Sequence, residues 1–245
     1  MNASTPTLPL FLDLCAETLN WQPSDRQQQQ FQDLYTGILE GNCQFNLTRI
    51  TDPDEFWEKH IWDSLRGIAP WLASPEQPYR VIDIGTGGGF PGLPVAIARP
   101  DWSITLLDST RKKIAFLKTL SEQLDLTQIS TLAERAEAAG LFRLHRDRYD
   151  LALIRAVGPV TVCAEYAVPF VKPGGQAVLY RGQWTDEEAS HLEKAVEQLG
   201  GAIAKVDAFT TPLSHGIRHC VYIEKVALTP ADFPRDVGIP AKHPL

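Results

Sequence analysis

The chain has 245 residues, 44% of them hydrophobic, which is enough to bury the core of a sizeable domain and too much for global disorder. Its formal charge of -7 excludes a globally basic field, so contact with nucleic acid has to come from local groups: Arg111-Lys112-Lys113, Arg143 with Arg146 and Arg148, or Arg218-His219. Four scattered cysteines, Cys15, Cys43, Cys163 and Cys220, lack metal-binding or disulfide-framework spacing, so the expectation is reduced thiols, no metal site and a cytoplasmic setting.

At the N-terminus no basic segment precedes the short apolar stretch Leu8 to Leu14, which Asp13 interrupts, and no later run approaches the roughly 18 apolar residues of a membrane span. The expectation is a chain neither exported nor membrane-bound. Residues 1–75 read as a helical extension. Leu10, Leu14 and Trp21, then Phe31, Leu34, Ile38 and Leu39, mark short amphipathic helices, and Asp54 to Trp71 gives another through Phe56, Trp57, Ile61, Leu65 and Ile68. The Gln27 to Gln30 run reads as exposed and without functional weight. Pro70, Pro75 and Pro78 make a boundary.

Residues 76–227 change to alternating apolar runs and amphipathic helices, the pattern of βα units on a mainly parallel sheet. Strands are expected at Arg80 to Ile84, Ser103 to Leu107, Gln128 to Leu132, Tyr149 to Ile154 and Gln176 to Tyr180, the last preceded by a Pro173-Gly174-Gly175 turn. Helices follow Leu93 to Ala98, the stripe Ile114, Leu117, Leu120 and Leu124 capped by Ser109 or Thr110, and Val160 to Val171. Thr185 and Glu188 have capping-box spacing before a helix buried through Leu192, Ala195, Val196 and Leu199, which Gly200-Gly201 ends. Ala202 to Phe209 and Arg218 to Glu224 form an antiparallel edge hairpin, which completes a seven-stranded α/β sheet; residues 228–245 are a tail.

Chemistry gathers at Asp83-Ile84-Gly85-Thr86-Gly87-Gly88-Gly89-Phe90-Pro91-Gly92, between the first strand and its helix. Glycines let backbone approach a ligand because they lack Cβ and tolerate positive φ. The string from Gly87 also spells the dinucleotide pattern G-x-G-x-x-G. In that fingerprint, however, the first glycine makes the tight turn directly after the strand; here that is Gly85, and counting from it puts Phe90 in the third glycine's place. Pro91 removes an N–H where pyrophosphate would be held. Asp83 either orients the turn or attracts a cationic cofactor such as S-adenosylmethionine, and it would repel pyrophosphate.

Asp108, ending the second strand, is placed to accept from ribose hydroxyls, a role that can coexist with helix capping. Arg155 follows four apolar residues of the fourth strand and therefore stands at the carboxyl edge of the sheet, where open α/β folds bind ligands; a surface ion pair is the plainer alternative. Ala136-Glu137 lies after the third strand, where composition alone would make Glu137 an ordinary solvated residue.

Together with Asn46-Leu47-Thr48, His60, Asp63-Ser64-Leu65, Leu106-Leu107-Asp108-Ser109, Arg135-Ala136-Glu137, Arg155-Ala156 and Arg218-His219, this turn resembles the bacterial RsmG/GidB family of 16S ribosomal RNA guanine-N7 methyltransferases. The resemblance runs along nearly the whole chain. It implies a Rossmann-like class I methyltransferase fold, S-adenosyl-L-methionine as cofactor with S-adenosyl-L-homocysteine as product, and small-subunit ribosomal RNA or its particle as substrate; a monomer is expected, though no residue pattern specifies it. It assigns Gly85, Phe90, Asp108, Ser109, Thr110, Ala136, Glu137 and Arg155 to the cofactor, and Asp83 and Gly87 of the same turn are expected there beside them. Base positioning falls to Asn46, His60, Arg155 and Arg218. Two departures stand out: Ile154 where a Ser commonly precedes the arginine, and Arg181 where a Lys commonly follows the fifth strand. The second keeps the charge and changes its geometry.

Guanine N7 carries a free lone pair and no proton, so no general base is expected and in-line placement would supply most of the rate. Three other readings stay open on sequence: a methyltransferase for a small molecule or protein, a nicotinamide-dependent oxidoreductase, and a non-catalytic RNA-binding assembly factor. Substrate competition, nicotinamide binding, and RNA binding without cofactor affinity would respectively reveal them.

Overall fold

A computed structural model describes residues 6–74 and 76–245; the expected boundary at Pro75 falls outside the described residues. Seven strands form one sheet: β1 Arg80–Ile84, β2 Ser103–Asp108, β3 Ile129–Ala133, β4 Tyr149–Arg155, β5 Val171–Arg181, β6 Gly201–Thr210 and β7 Ile217–Lys225. Their spatial order is β3-β2-β1-β4-β5-β7-β6, and only β7 runs against the rest. Strand order reverses between β1 and β4, so their carboxyl ends flank the crevice in which such sheets bind ligands.

Period-two alternation sends neighbouring strand residues into two cores. Leu151 and Leu153 face one; Ala152 and Ile154 face the other, beneath α9 (Val160–Ala167) and α10 (Asp186–Gln198). The first core is shared with the N-terminal helices α1 (Leu12–Leu19) and α2 (Asp25–Phe45), whose Phe31, Leu34, Tyr35 and Ile38 are buried. The N-terminal helices are thus one layer of the sheet's own sandwich. Among the described residues, no helix is long and apolar enough to cross a membrane.

The glutamine run does more than the sequence suggested. Ser24 and Gln27 close a reciprocal capping box at the start of α2. The Gln27 side-chain amide also donates to Ile97 O at 2.9 Å, at the end of α6 (Gly92–Ala98), and Gln30 donates to Leu124 O at 2.8 Å, at the end of α7 (Arg111–Gln123). Two otherwise orphaned helix carbonyls are thereby satisfied.

The helix expected over Asp54 to Trp71 is broken into α3 (Pro53–Phe56), a π-helical segment Trp57–Trp62, α4 (Asp63–Arg66) and α5 (Ala69–Leu72). Asp63 N–H returns five residues to Glu58 O, which widens the turn. Pro70, without an N–H, cannot continue the helix and instead sits in the first turn of α5. The expected Val160 to Val171 helix likewise gives way after Ala167 to a 3-10 turn, Val168–Phe170, containing Pro169.

The Pro173-Gly174-Gly175 turn lies inside β5 as a bulge, since Tyr149 pairs with Val171 while Leu151 pairs with Gln176. Only half of the Thr185 capping box forms: Thr185 Oγ1 accepts from Glu188 N–H, but the Glu188 carboxylate turns to Arg181. Past β3, α8 (Ala136–Ala139) is a single turn, and the tail ends in α11 (Ile239–Lys242). Arg146, read from sequence as a possible phosphate contact, is instead consumed by the tail carbonyls of Phe233, Thr229 and Pro230.

Candidate active site

The turn after β1 uses positive φ at Gly85 (67°), Gly87 (58°) and Gly89 (94°). A Cβ on Gly85 would meet Val157 Cγ2 at 2.6 Å, so the loop after β4 closes onto bare backbone. Asp83 is wholly buried behind the turn: its Oδ2 accepts from the Thr86 hydroxyl at 2.5 Å and from Gly92 N–H at 2.8 Å, and its Oδ1 has no partner. Burial pushes this carboxyl up to about 6. Of the two sequence readings, orienting the turn is the one its contacts display.

The N–H groups of Thr86, Gly87, Gly89, Phe90, Gly92 and Leu93 all donate within the fold, and Pro91 has none. A pyrophosphate would find few donors there.

A cavity of about 310 Å³ opens between the ends of β1, β2 and β4. Gly85, Asp108, Ser109, Ala136 and Glu137 line it, as the sequence proposed; Asp83, Gly87, Phe90, Thr110 and Arg155 do not. Asp108 Oδ2 accepts from Gly87 N–H at 3.0 Å and its Oδ1 from Thr110 N–H at 2.7 Å. One carboxylate thus ties the turn to the start of α7, and Thr110, the N-cap residue, makes no side-chain cap bond, against the expected cap by Ser109 or Thr110.

Glu137 is buried, with Oε1 accepting from Arg135 at 2.9 Å, the Tyr166 hydroxyl at 3.1 Å and Gly238 N–H at 3.0 Å, while Oε2 has no partner. Burial alone would raise its pKa, but the bonds from Arg135 and Gly238 outweigh it and hold the group below the usual carboxylate range. Burial, and then the Glu137 charge, push Tyr166 up to about 12, so its hydroxyl stays a donor. With Glu134 and Arg135 also on the wall, three carboxylates and one guanidinium, itself paired with Glu137, surround the space. This acceptor-rich lining fits a nucleoside bearing cationic groups better than an anionic one.

A second cavity, about 280 Å³, brings together His60, Arg155 and Arg218 with Asp63 and Thr211. Arg155 donates to Lys59 O at 2.7 Å and Asp63 Oδ2 at 3.0 Å, with His60 Nδ1 3.4 Å away. His60 stacks on Phe90, centroids 4.2 Å apart, and its Nε2 lies 2.7 Å from Thr48 Oγ1. Burial, then the Arg155 charge, push this imidazole down to about 3, so it is neutral at pH 7. Phe90, expected at the cofactor, stacks behind His60. Arg218 has no carboxylate partner among the described residues. Asn46 is exposed at the end of α2 and lines neither cavity.

The departure Ile154 is buried in the second core, on the sheet face away from Arg155. Arg181 donates to Gly158 O at 3.0 Å and Glu188 at 2.5 Å, so it holds the loop that lines the first cavity. Sequence reasoning missed Tyr166, the loop Val157 to Pro159, and Ala241 of the tail, all on the first cavity's wall. It also missed Glu58, whose Oε1 accepts from Leu213 N–H at 2.6 Å and Ser214 N–H at 2.9 Å and so fixes the loop above the second cavity.

Residues 27–220 match the family model described as GidB, rRNA small subunit methyltransferase G. The chain is 58% identical over 243 residues to the ribosomal RNA small subunit methyltransferase G of Nostoc punctiforme, covering 98% of this chain and 100% of that one. With the protein of the same name from Synechococcus elongatus it is 58% identical over 229 residues, 94% of each chain. Among solved structures, it is similar in fold to a mutant 16S rRNA (adenine(1408)-N(1))-methyltransferase with cosubstrate SAM from Catenulisporales acidiphilia, at a TM-score of 0.53 and 15% identity, covering 66% of this chain and 91% of that one.

Proposed function

The chain belongs to the GidB family, rRNA small subunit methyltransferase G, and from that premise we propose that it methylates N7 of a guanine in small-subunit (16S) ribosomal RNA, with S-adenosylmethionine as donor. One observation carries the reading at the level of the site: consecutive residues at the end of β4 and just beyond it divide between the two cavities, Arg155 and Ala156 lining one and Val157 to Pro159 the other. A donor in the first and a base in the second would meet across that short segment. The acting unit in this reading is a monomer.

Gly85, Asp108, Ser109, Ala136 and Glu137 would hold the cofactor directly, with Asp108 accepting from ribose hydroxyls. Asp83, Gly87, Phe90 and Thr110 act behind them, by fixing the turn, the Asp108 carboxylate and His60. Bound there, S-adenosylmethionine supplies a methyl on a sulfonium, open to attack by the N7 lone pair. No side chain has to remove a proton, in keeping with a neutral, hydrogen-bonded His60. Arg155, His60 and Arg218 position the unstacked base, and Asn46 meets RNA beyond the cavity.

The test is transfer of labelled methyl from S-adenosylmethionine to small-subunit RNA or particles, with the product nucleoside identified by mass spectrometry. N7-methylguanosine is expected, and Arg155→Ala should lower the rate by about 100-fold through lost placement. Absence of label in guanine, or label in another base, would sink the reading.

A further inference from the structure

The carboxylate that lines the first cavity from α8 is tied to a residue 101 positions away. Gly238 N–H donates to Glu137 Oε1 at 3.0 Å, and Ala241, one turn further on, is itself part of the cavity wall. The family match ends at residue 220, so this wall comes from outside the matched region.

The tail is held unevenly. Up to Arg235 its anchors are strong: Arg146 takes three of its carbonyls, and the Arg235 guanidinium and N–H all donate to Glu165, which is fully buried. Such bidentate charged bonds are among the strongest side-chain contacts. Beyond Gly238, whose φ of 84° turns the chain, the polar contacts thin to the bond with Glu137 and the single turn of α11, with Pro240 buried and Leu245 packed on the second core. A firmly fixed strap therefore ends in a lightly held turn over the cavity.

We propose that residues 238–245 are a latch on the cofactor cavity, docked through Gly238 to Glu137, so that cofactor binding and latch docking strengthen each other. The inference rests on the cofactor reading above. Glu137 is the shared element: the tail shares Oε1 with Arg135 and Tyr166, while the buried, unpartnered Oε2 remains for a ligand donor. Linkage requires the effect to be reciprocal, so the factor by which the latch tightens the cofactor is the factor by which the cofactor tightens the latch.

Titration calorimetry with S-adenosylhomocysteine compares the full chain, a chain ending at Val237, and Val237→Ser as a control at an exposed tail position. The truncated chain should bind about ten-fold more weakly, and the control unchanged. On the full chain, saturating S-adenosylhomocysteine should slow carboxypeptidase trimming of residues 238–245 by a similar factor, a readout that needs no variant to fold. Affinity within two-fold of the full chain in a truncated protein that still melts cooperatively, or trimming indifferent to S-adenosylhomocysteine, overturns the latch. Failure of the full chain to bind S-adenosylhomocysteine overturns the cofactor reading, and the latch with it.

Discussion

Asp83 and His60 are buried groups whose titrations push stability in opposite directions. The folded pKa of Asp83, about 6, lies above its ordinary 3.8, so the folded state holds the extra proton and stability falls as pH rises between those values. His60 is depressed from 6.5 to about 3, so the folded state holds fewer protons and stability falls as pH drops from 6.5 towards 3. Urea unfolding across pH 3.5 to 7 should therefore show His60→Gln losing less stability than the parent on acidification below about 6.5, and Asp83→Asn losing the decline that the parent suffers between about 4 and 6. Parallel curves for parent and variant would refute the assignment in either case. Residue identity and strand position made Asp83, Asp108 and Arg155 legible in the sequence. What each side chain does was not legible, because the second oxygen of Asp108 reaches Gly87 and the ring of Phe90 reaches His60 only after distant segments pack.

Among the elements, the parallel strands were readable because a strand covered on both faces is an unbroken apolar run, as Val81 to Ile84 is apart from Asp83. The π segment left no trace in the pattern, since one extra residue in a turn keeps aromatic density high while it shifts which side chains face inward. The carbonyl contacts of Gln27 and Gln30 were illegible for a related reason: a polar residue on a helix says nothing of a carbonyl that another helix brings within reach. Removing such a cap should cost a single hydrogen bond. Gln30→Ala is expected to destabilise by about 1 kcal/mol, seen as a melting point lower by roughly 2–4 °C, with S-adenosylhomocysteine affinity unchanged because Leu124 is remote from both cavities. A shift in affinity would mean that α7 transmits the change to Asp108.

For the whole molecule, a net charge of -7 and an RNA substrate are compatible if the cations that matter are placed rather than numerous. The tail could not be placed from the sequence, because its meeting with Glu137 spans 101 positions and is set by how Arg235 finds Glu165. Arg218 was singled out by resemblance, and the fold gives it a physical role: β7 alone runs backwards, which delivers the start of that strand to the same sheet edge as the end of β4, beside Arg155. It lines the second cavity and has no ion-pair partner among the described residues. Arg218→Ala should therefore lower turnover on small-subunit RNA through lost placement of the base, with the S-adenosylhomocysteine Kd nearly unchanged and the salt dependence of KM intact. A phosphate contact would instead raise KM at unchanged kcat and lower the slope of log KM against log salt by about 1. An altered S-adenosylhomocysteine Kd would place Arg218 at the cofactor, against the division of the two cavities.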